Sequence, residues 1–562
     1  MQGRDPTVAA VRLLVRPRGG DDRPARLRRE VDRVLGAVDE HDRPWAVEPL
    51  FPGTPDPELR RYWVVSGAVQ AGPAYDETRV AYDLAARLAR ELDADVEPDL
   101  PSSAFGAEPD HREDADDVDD AVGEESLGDT RGVHLAGSDD VHWVVDAVRA
   151  GAAWALLPHL GGSARGAGVL VGSVDTGYTD HPEVAGAWSF DLDYDVVDGD
   201  DDARDPLRRR WYMPLDSPGH GTHTASVIGC RGDGVLLGVA PRVTIVPIRT
   251  VKSVVQVLDG DVARAVHEAH RRGCKVITMS LGGRGFFGLR SAIRAAIDDG
   301  VIVMAAAGNK VGIVVAPASY PECIAVGATN ADSEPWSGSS RGPAVDVSAP
   351  GESVWVASVD SRTNPPVFGE RRHHGTSFAV ATLAGVAALW IAHHGHDRIV
   401  AKVGRAHVHA AFLQLVRTHG HREPPGWTEH GWDELYGVGI VDAAALLAAP
   451  LPDAADLVLP EIPAAPEAAD PVSRLSAVLS GLGRDEVRSR VGELLGTAPD
   501  AVDDLPPVTV SELVYRLGED DALRAGLTTP IGDVELPARP GAEARRLLAR
   551  TASRALRTSA GP

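Results

Sequence analysis

The chain has 562 residues, 43% of them hydrophobic, with 59 Gly, 41 Pro and a formal net charge of −26. A single core stops growing near roughly 250–300 residues, so a main domain with additions is expected. The acidity argues against nucleic acid as a partner, since phosphate backbones call for clustered Lys and Arg; Cys230, Cys274 and Cys323 are too few and too scattered for a disulfide scaffold or a four-ligand zinc site.

Residues 1–105 form the first unit. The first eight residues lack the apolar core of a signal peptide, and no stretch of about 18 apolar residues follows, so a cytoplasmic chain with no membrane partner is expected. An apolar run at 8–15 precedes a helical stretch with Leu27, Val31, Val34, Leu35 and Val38 on one face, and then a strand at 45–51. A strand at 62–69, a helix carrying Val80, Leu84, Leu88 and Leu92, and an extended piece around Val96 complete a βαββαβ order, the ferredoxin-like arrangement.

Residues 106–139 are densely acidic, with Asp114, Asp116, Asp117, Asp119, Asp120, Glu124 and Glu125 and almost nothing apolar. Such a segment cannot bury enough surface to fold and reads as a solvated, disordered linker rather than a cation site. In residues 140–450, apolar extended pieces (168–174, 243–247, 275–280, 301–307, 324–328) alternate with helical segments (220–229, 261–272, 289–298). That pattern predicts an α/β domain whose mostly parallel sheet is covered on both faces, with its chemistry at the carboxyl ends of the strands. A Pro/Ala/Asp-rich linker at 451–471 leads to a helical region, 472–562, with helices at 475–482, 487–495 and 512–517 and a basic tail at 545–557.

Three stretches of the main domain carry candidate chemistry. The strand ending Val174-Asp175-Thr176-Gly177 puts an acid at a carboxyl end; His220 opens a small-residue helix at 219–225; and Gly375-Thr376-Ser377 opens a small, apolar helix whose polarised start can present the Ser377 hydroxyl. Each has a plainer reading, as a turn, a surface His and a helix cap. Their order, Asp then His then Ser, is the order found in subtilisin.

These motifs resemble those of the subtilisin-like (subtilase) serine peptidases: VDTG at 174–177, GHGTHTA at 219–225 and GTSFA at 375–379. GVAP at 238–241, MSLGG at 279–283, AAAGN at 305–309, APG at 349–351 and YGVGIVDAAAL at 436–446 extend the resemblance over residues 140–450. It implies a three-layer subtilisin-like fold and a serine endopeptidase with Asp175, His220 and Ser377 as triad and Asn309 as oxyanion donor. His223, three residues beyond His220, is the rival base. The resemblance further implies that Ser280, Leu281 and Gly282 form the strand along which a peptide substrate lies, with Lys310 at the rim of a modest pocket beside Val315 that disfavours basic side chains. It makes the N-terminal domain a propeptide-like intramolecular inhibitor.

No cofactor is required by this chemistry. Calcium has no clear motif, and the loop with Asp191, Asp193, Asp195, Asp198, Asp200, Asp201, Asp202 and Asp205 reads first as solvated, with calcium or basic substrate side chains as alternatives. Ala381 stands where the family usually has Pro, which leaves the precise seat of Ser377 open. A second class of function is a catalytically inactive scaffold that keeps the cleft and binds a peptide or partner protein.

Overall fold

The computed structural model describes residues 8–19, 24–36, 45–70, 76–103, 136–160, 162–207, 217–254, 256–310, 313–361, 363–424, 427, 433–459, 471–479, 482–528, 544–545, 548 and 552–559. Most of the expected acidic linker, and 460–470 of the second linker, lie outside them.

The N-terminal unit comprises β1 (Val8–Pro17), α1 (Pro24–Leu35), β2 (Ala46–Pro49), β3 (Trp63–Gln70), α2 (Glu77–Leu92) and β4 (Ala94–Pro98). Its antiparallel sheet has the order β2-β3-β1-β4, as the predicted βαββαβ pattern requires. Side chains alternate across a strand, and β1 uses both faces. Val11, Leu13 and Val15 pack with Leu27 and Val31 of α1 and Leu88 of α2, whereas Leu14 turns to the other side. The chain then adds a short β5 (Ser102–Ser103).

The main body contains α3 (Trp143–Ala147), α4 (Ala150–Ala155), β6 (Leu170–Asp175), β7 (Tyr194–Asp195), α5 (His220–Gly229), β8 (Thr244–Arg249) and β9 (Gln256–Val257). It continues through α6 (Asp259–Arg271), β10 (Val276–Met279), α7 (Phe287–Asp298), β11 (Ile302–Ala306), β12 (Ile324–Thr329), β13 (Val347–Pro350), β14 (Val354–Asp360) and β15 (Val367–His373). It closes with α8 (Thr376–His394), α9 (His396–Val403), α10 (Val408–Thr418), β16 (His421–Arg422), β17 (Ile440–Val441) and α11 (Ala443–Ala448). Nine strands form one sheet in the order β16-β17-β13-β12-β11-β10-β6-β8-β7, parallel except for the β16–β17 pair.

The central strands are buried along their length, which is why they read as continuous apolar runs rather than alternating ones. On one face Val171, Val276, Ile302 and Val326 pack under α5 and α8; on the other Val246, Ile277 and Val303 pack under α6 and α7. The result is the expected three-layer α/β body. Helix α8 is long and apolar enough to span a membrane by composition, at a mean hydropathy of 1.5, which corrects the expectation that no such stretch exists. All of it is buried, so it is the core helix of this body. It also runs unbroken through Ala381.

The last described helices are α12 (Pro471–Val478), α13 (Arg484–Leu495), α14 (Pro507–Glu519), α15 (Asp521–Thr528) and α16 (Arg554–Ser559), each predicted helix appearing within a few residues. Their shared apolar cluster, including Leu475, Val491 and Leu513, takes in Ile313 and Val315 of the main body.

Candidate active site

Asp175 is the last residue of β6, and α5 is drawn tightly onto that strand end. Gly221 permits the approach: a methyl group there would stand 2.1 Å from the Gly177 carbonyl oxygen, and the Gly221 N–H donates to Thr176 Oγ1 at 3.0 Å. As a result His220, at the start of α5, faces the acid, with Nδ1 2.8 Å from Asp175 Oδ1. The Asp175 carboxylate is held from two further sides, by the Thr176 N–H at 2.7 Å on Oδ1 and the Thr224 hydroxyl at 3.2 Å on Oδ2. With the Asp175 side chain 2% exposed and that of His220 14%, the acid is shielded while the imidazole keeps one edge toward the opening.

His223 is placed differently. It is buried, its Nε2 accepts the Val359 N–H at 3.4 Å, and its ring lies 4.9 Å from that of His373. Burial, then the neighbouring His373, holds its pKa well below the ordinary imidazole value. The structure brings Asp175 to His220 and not to this rival.

Ser377 is the second residue of α8, and Phe378, next to it, lies 6.3 Å from the His220 ring. The helix start is tied to the end of β10 reciprocally: Ser280 Oγ donates to the Ser377 carbonyl at 3.1 Å, and Ser377 Oγ donates to the Ser280 carbonyl at 3.5 Å. Asn309, three residues past β11, accepts through Oδ1 from both the Thr376 N–H, at 2.9 Å, and the Thr376 hydroxyl, at 2.8 Å. A backbone N–H can only donate, so the accepting atom is the amide oxygen. Nδ2 is thereby directed away from Thr376.

Asp175, Ser280 and Asn309 thus sit at or just beyond the carboxyl ends of the adjacent strands β6, β10 and β11, where open parallel sheets place their chemistry. Gly282 has no room for a side chain, since a methyl there would fall 2.4 Å from Val315 Cγ2. Past the end of β10, the Gly282 N–H donates to the Val254 carbonyl at 3.4 Å, Gly283 pairs with Ala316, and Leu281 is buried. Lys310 takes a left-handed conformation with φ 55°, its N–H donating to the Gly338 carbonyl at 2.6 Å.

The acidic loop is solvated only in part: Asp191, Asp198, Asp200, Asp201 and Asp202 are exposed, as expected, while Asp193, Asp195 and Asp205 are buried, which corrects the expectation for those three. Asp195 is buried, accepts from the Val197 N–H at 2.7 Å and pairs with Arg249, which also pairs with Asp198 at 2.6 Å. Asp193 accepts from the Ala203 N–H at 3.0 Å. Asp205 accepts from the Gly219 N–H at 2.7 Å and so fixes the turn immediately before His220. Burial raises the pKa of Asp193, Asp195 and Asp205 alike. Sequence reasoning missed Thr176 and Thr224, although both stand inside the quoted motifs, and missed the positioning role of Asp205; Thr376 it read only as a cap of the helix, not as the partner of Asn309. His393 and His394 meet His159 at the opposite end of α8 from Ser377, while His373, His374 and His396 stand apart from that group.

The subtilase family model matches residues 166–439. Over 235 residues the chain is 34% identical to thermitase of Thermoactinomyces vulgaris, covering 40% of this chain and 76% of that protein. It is 34% identical over 186 residues to subtilisin E of Bacillus subtilis (strain 168), covering 32% of this chain and 47%, about half, of that relative. The crystal structure of fervidolysin from Fervidobacterium pennivorans, described as a keratinolytic enzyme related to subtilisin, superposes with a TM-score of 0.51 at 22% identity, covering 80% of this chain and 63% of that structure, a likeness of fold.

Proposed function

The chain belongs to the subtilase family, and on that premise we propose that it is a serine endopeptidase with Ser377 as nucleophile, His220 as base, Asp175 as the group that orients the base and Asn309 as oxyanion donor. The observation that carries the reading is the 2.8 Å contact between Asp175 and His220, in a site whose far wall is the start of α8. In this scheme Ser377 Oγ attacks the peptide carbonyl carbon while His220 Nε2 takes its proton. Asp175, facing Nδ1, keeps the correct tautomer and stabilises the imidazolium. Asn309 Nδ2 and the Ser377 N–H receive the negative oxygen, and the positive end of the α8 dipole adds to them. The C–N bond then breaks as the imidazolium returns the proton to the leaving amine, and water repeats the sequence on the acyl-enzyme.

The substrate backbone would add itself along 280–282, where Gly282 leaves room for Val315 beside it. Lys310 and Val315 would make a modest pocket unfavourable to Arg and Lys before the cut. Inhibition by the N-terminal domain is supported by β5, which already lies antiparallel along β9 with Ser102 opposite Val257 and Ser103 opposite Gln256. It is supported also by the outer face of the N-terminal sheet. There Phe51 and Tyr62 join the apolar cluster of α6 and α7, and Tyr62 shares a 2.7 Å hydrogen bond with Ser291.

A peptide library tests the reading. Wild type should cut after uncharged side chains, with turnover lower by about a millionfold in Ser377→Ala and about ten-thousandfold in Asp175→Asn. The same preparations report on self-cleavage: wild type should be cut between residues 100 and 140 and Ser377→Ala should stay whole. Full turnover in Ser377→Ala, or a profile dominated by Arg or Lys, contradicts the assignment.

A further inference from the structure

The region after residue 450 has no part in the chemistry above, yet it touches the N-terminal domain along a second front. Strand β4 is an edge of the N-terminal sheet, and α14 covers it while also packing on α2. Val508, at the start of α14, joins the apolar core of the N-terminal domain beside Val11, Leu13 and Tyr82. The Tyr82 hydroxyl donates to the Ser511 carbonyl at 3.2 Å, and the Tyr515 ring stands edge-on to that of Tyr82 at 5.9 Å. Arg474 of α12 makes a 2.7 Å ion pair with buried Glu97 of β4, and the Arg554 N–H, at the start of α16, donates to Asp83 of α2 at 2.6 Å. The same helices are fixed to the peptidase body. Arg284, just past β10, lies 3.6 Å over the Tyr515 ring and pairs with Glu519 at 2.5 Å, while Ile313 and Val315 enter the helices' own apolar cluster.

The N-terminal domain is therefore gripped on two sides, with its sheet face on α6 and α7 and its β4 edge and α2 on the C-terminal helices. Cutting the chain between 103 and 136 turns docking from an intramolecular contact into a bimolecular one and removes an effective concentration on the order of millimolar. Whatever then keeps the domain in place must be the contacts themselves. We propose that helices α12, α14 and α16 are the seat that retains the N-terminal domain, so that it stays docked after the chain is severed and leaves only when these helices let go. This deepens the reading of that domain as an inhibitor and rests on it.

The test uses the full chain carrying Ser377→Ala, so that it cannot digest itself, with a recognition sequence for a site-specific viral protease inserted between 104 and 135. After cleavage, the N-terminal fragment should co-elute with the remainder in gel filtration. Arg474→Glu should raise the Kd of the labelled fragment at least about tenfold, because Glu97 is then left buried against a like charge. Adding Glu97→Arg to Arg474→Glu should recover most of that loss. Val508→Asp should weaken the fragment comparably, and because Val508 faces the N-terminal domain rather than its own bundle, it does so without unfolding the helices. Wild-type affinity in both Arg474→Glu and Val508→Asp overturns the proposal. Gly260→Val, on the peptidase side, separates the two ideas: if it alone weakens the fragment, docking on the peptidase stands and the seat falls, and if nothing weakens it, both fall.

Discussion

In the proposed mechanism Asn309 does two jobs with one amide. Its oxygen pins the first residue of α8 through two hydrogen bonds from Thr376, and its nitrogen would then donate to the oxyanion. Asn309→Ala should lower kcat about 10²- to 10³-fold with KM changed only a few-fold, since the donor acts on charge that exists only in the transition state. Asn309→Asp keeps the acceptor for Thr376 but sets a negative charge against the oxyanion, so it should restore thermal stability to near wild type while leaving kcat at least as low. Steady-state kinetics beside a melting curve distinguishes these roles. The motifs that carry Asp175, His220, Ser377 and Asn309 were legible because each is local in the chain. Thr224 and Asp205 were not, because a threonine inside a helix and an aspartate in an acidic loop announce nothing until the third dimension sets one on the Asp175 carboxylate and the other on the Gly219 amide.

At the scale of elements, the start of α6 is one place where the N-terminal domain packs closely on the peptidase body. The Gly260 N–H donates to Asp99 Oδ1 at 3.2 Å, and a methyl on Gly260 would stand 2.5 Å from Asp99 Oδ2 and 2.9 Å from Leu14 Cδ2. Arg12 bridges the same seam, 3.1 Å from Asp99 and 2.7 Å from Asp261. Gly260→Val fits the helix but not the docked domain, so it should leave the melting of the isolated peptidase body unchanged. In the full chain it should shorten the lag before peptidase activity appears, as followed by progress curves on a chromogenic peptide; an unchanged lag would mean that the domain does not guard the cleft. Periodicity identified the N-terminal strands and helices and the buried strands of the main sheet to within a few residues. The lateral order that sets β6 between β8 and β10 was not readable, because a buried parallel strand is apolar on both faces and names no neighbour.

For the molecule as a whole, three bodies meet around one cluster of charge. Glu97 and Asp99 from the N-terminal domain, Asp259 and Arg284 from the peptidase body and Arg474 from the C-terminal helices line a shared cavity, with Arg12 and Arg264 close by. Burial first, and Asp99 second, push Asp259 up to about 7, and burial pushes Asp99 up to about 6. An acid raised in this way binds its proton more tightly in the docked state than in the released one, where water returns it toward 3.8. Docking is therefore favoured below about pH 4 and loses this contribution as pH rises through about 7. The severed N-terminal fragment should bind more weakly at pH 7.5 than at pH 5, and Asp259→Asn should remove much of that slope; binding that tightens as pH rises would contradict it. None of this junction was legible in the sequence. The helices beyond residue 471 could be read as helices, but which surfaces they cover depends on the placement of chain ends more than 350 residues apart, such as Glu97 and Arg474.

The measurement closest to the central claim is mass spectrometry of the chain after exposure to a fluorophosphonate, once the N-terminal domain has been cut free and removed. A single adduct on the peptide containing Ser377, absent from Ser377→Ala and formed far more slowly in Asp175→Asn and His220→Ala, is the predicted result. An unmodified Ser377 in the freed body, or equal labelling whether or not Asp175 and His220 are present, would contradict the account.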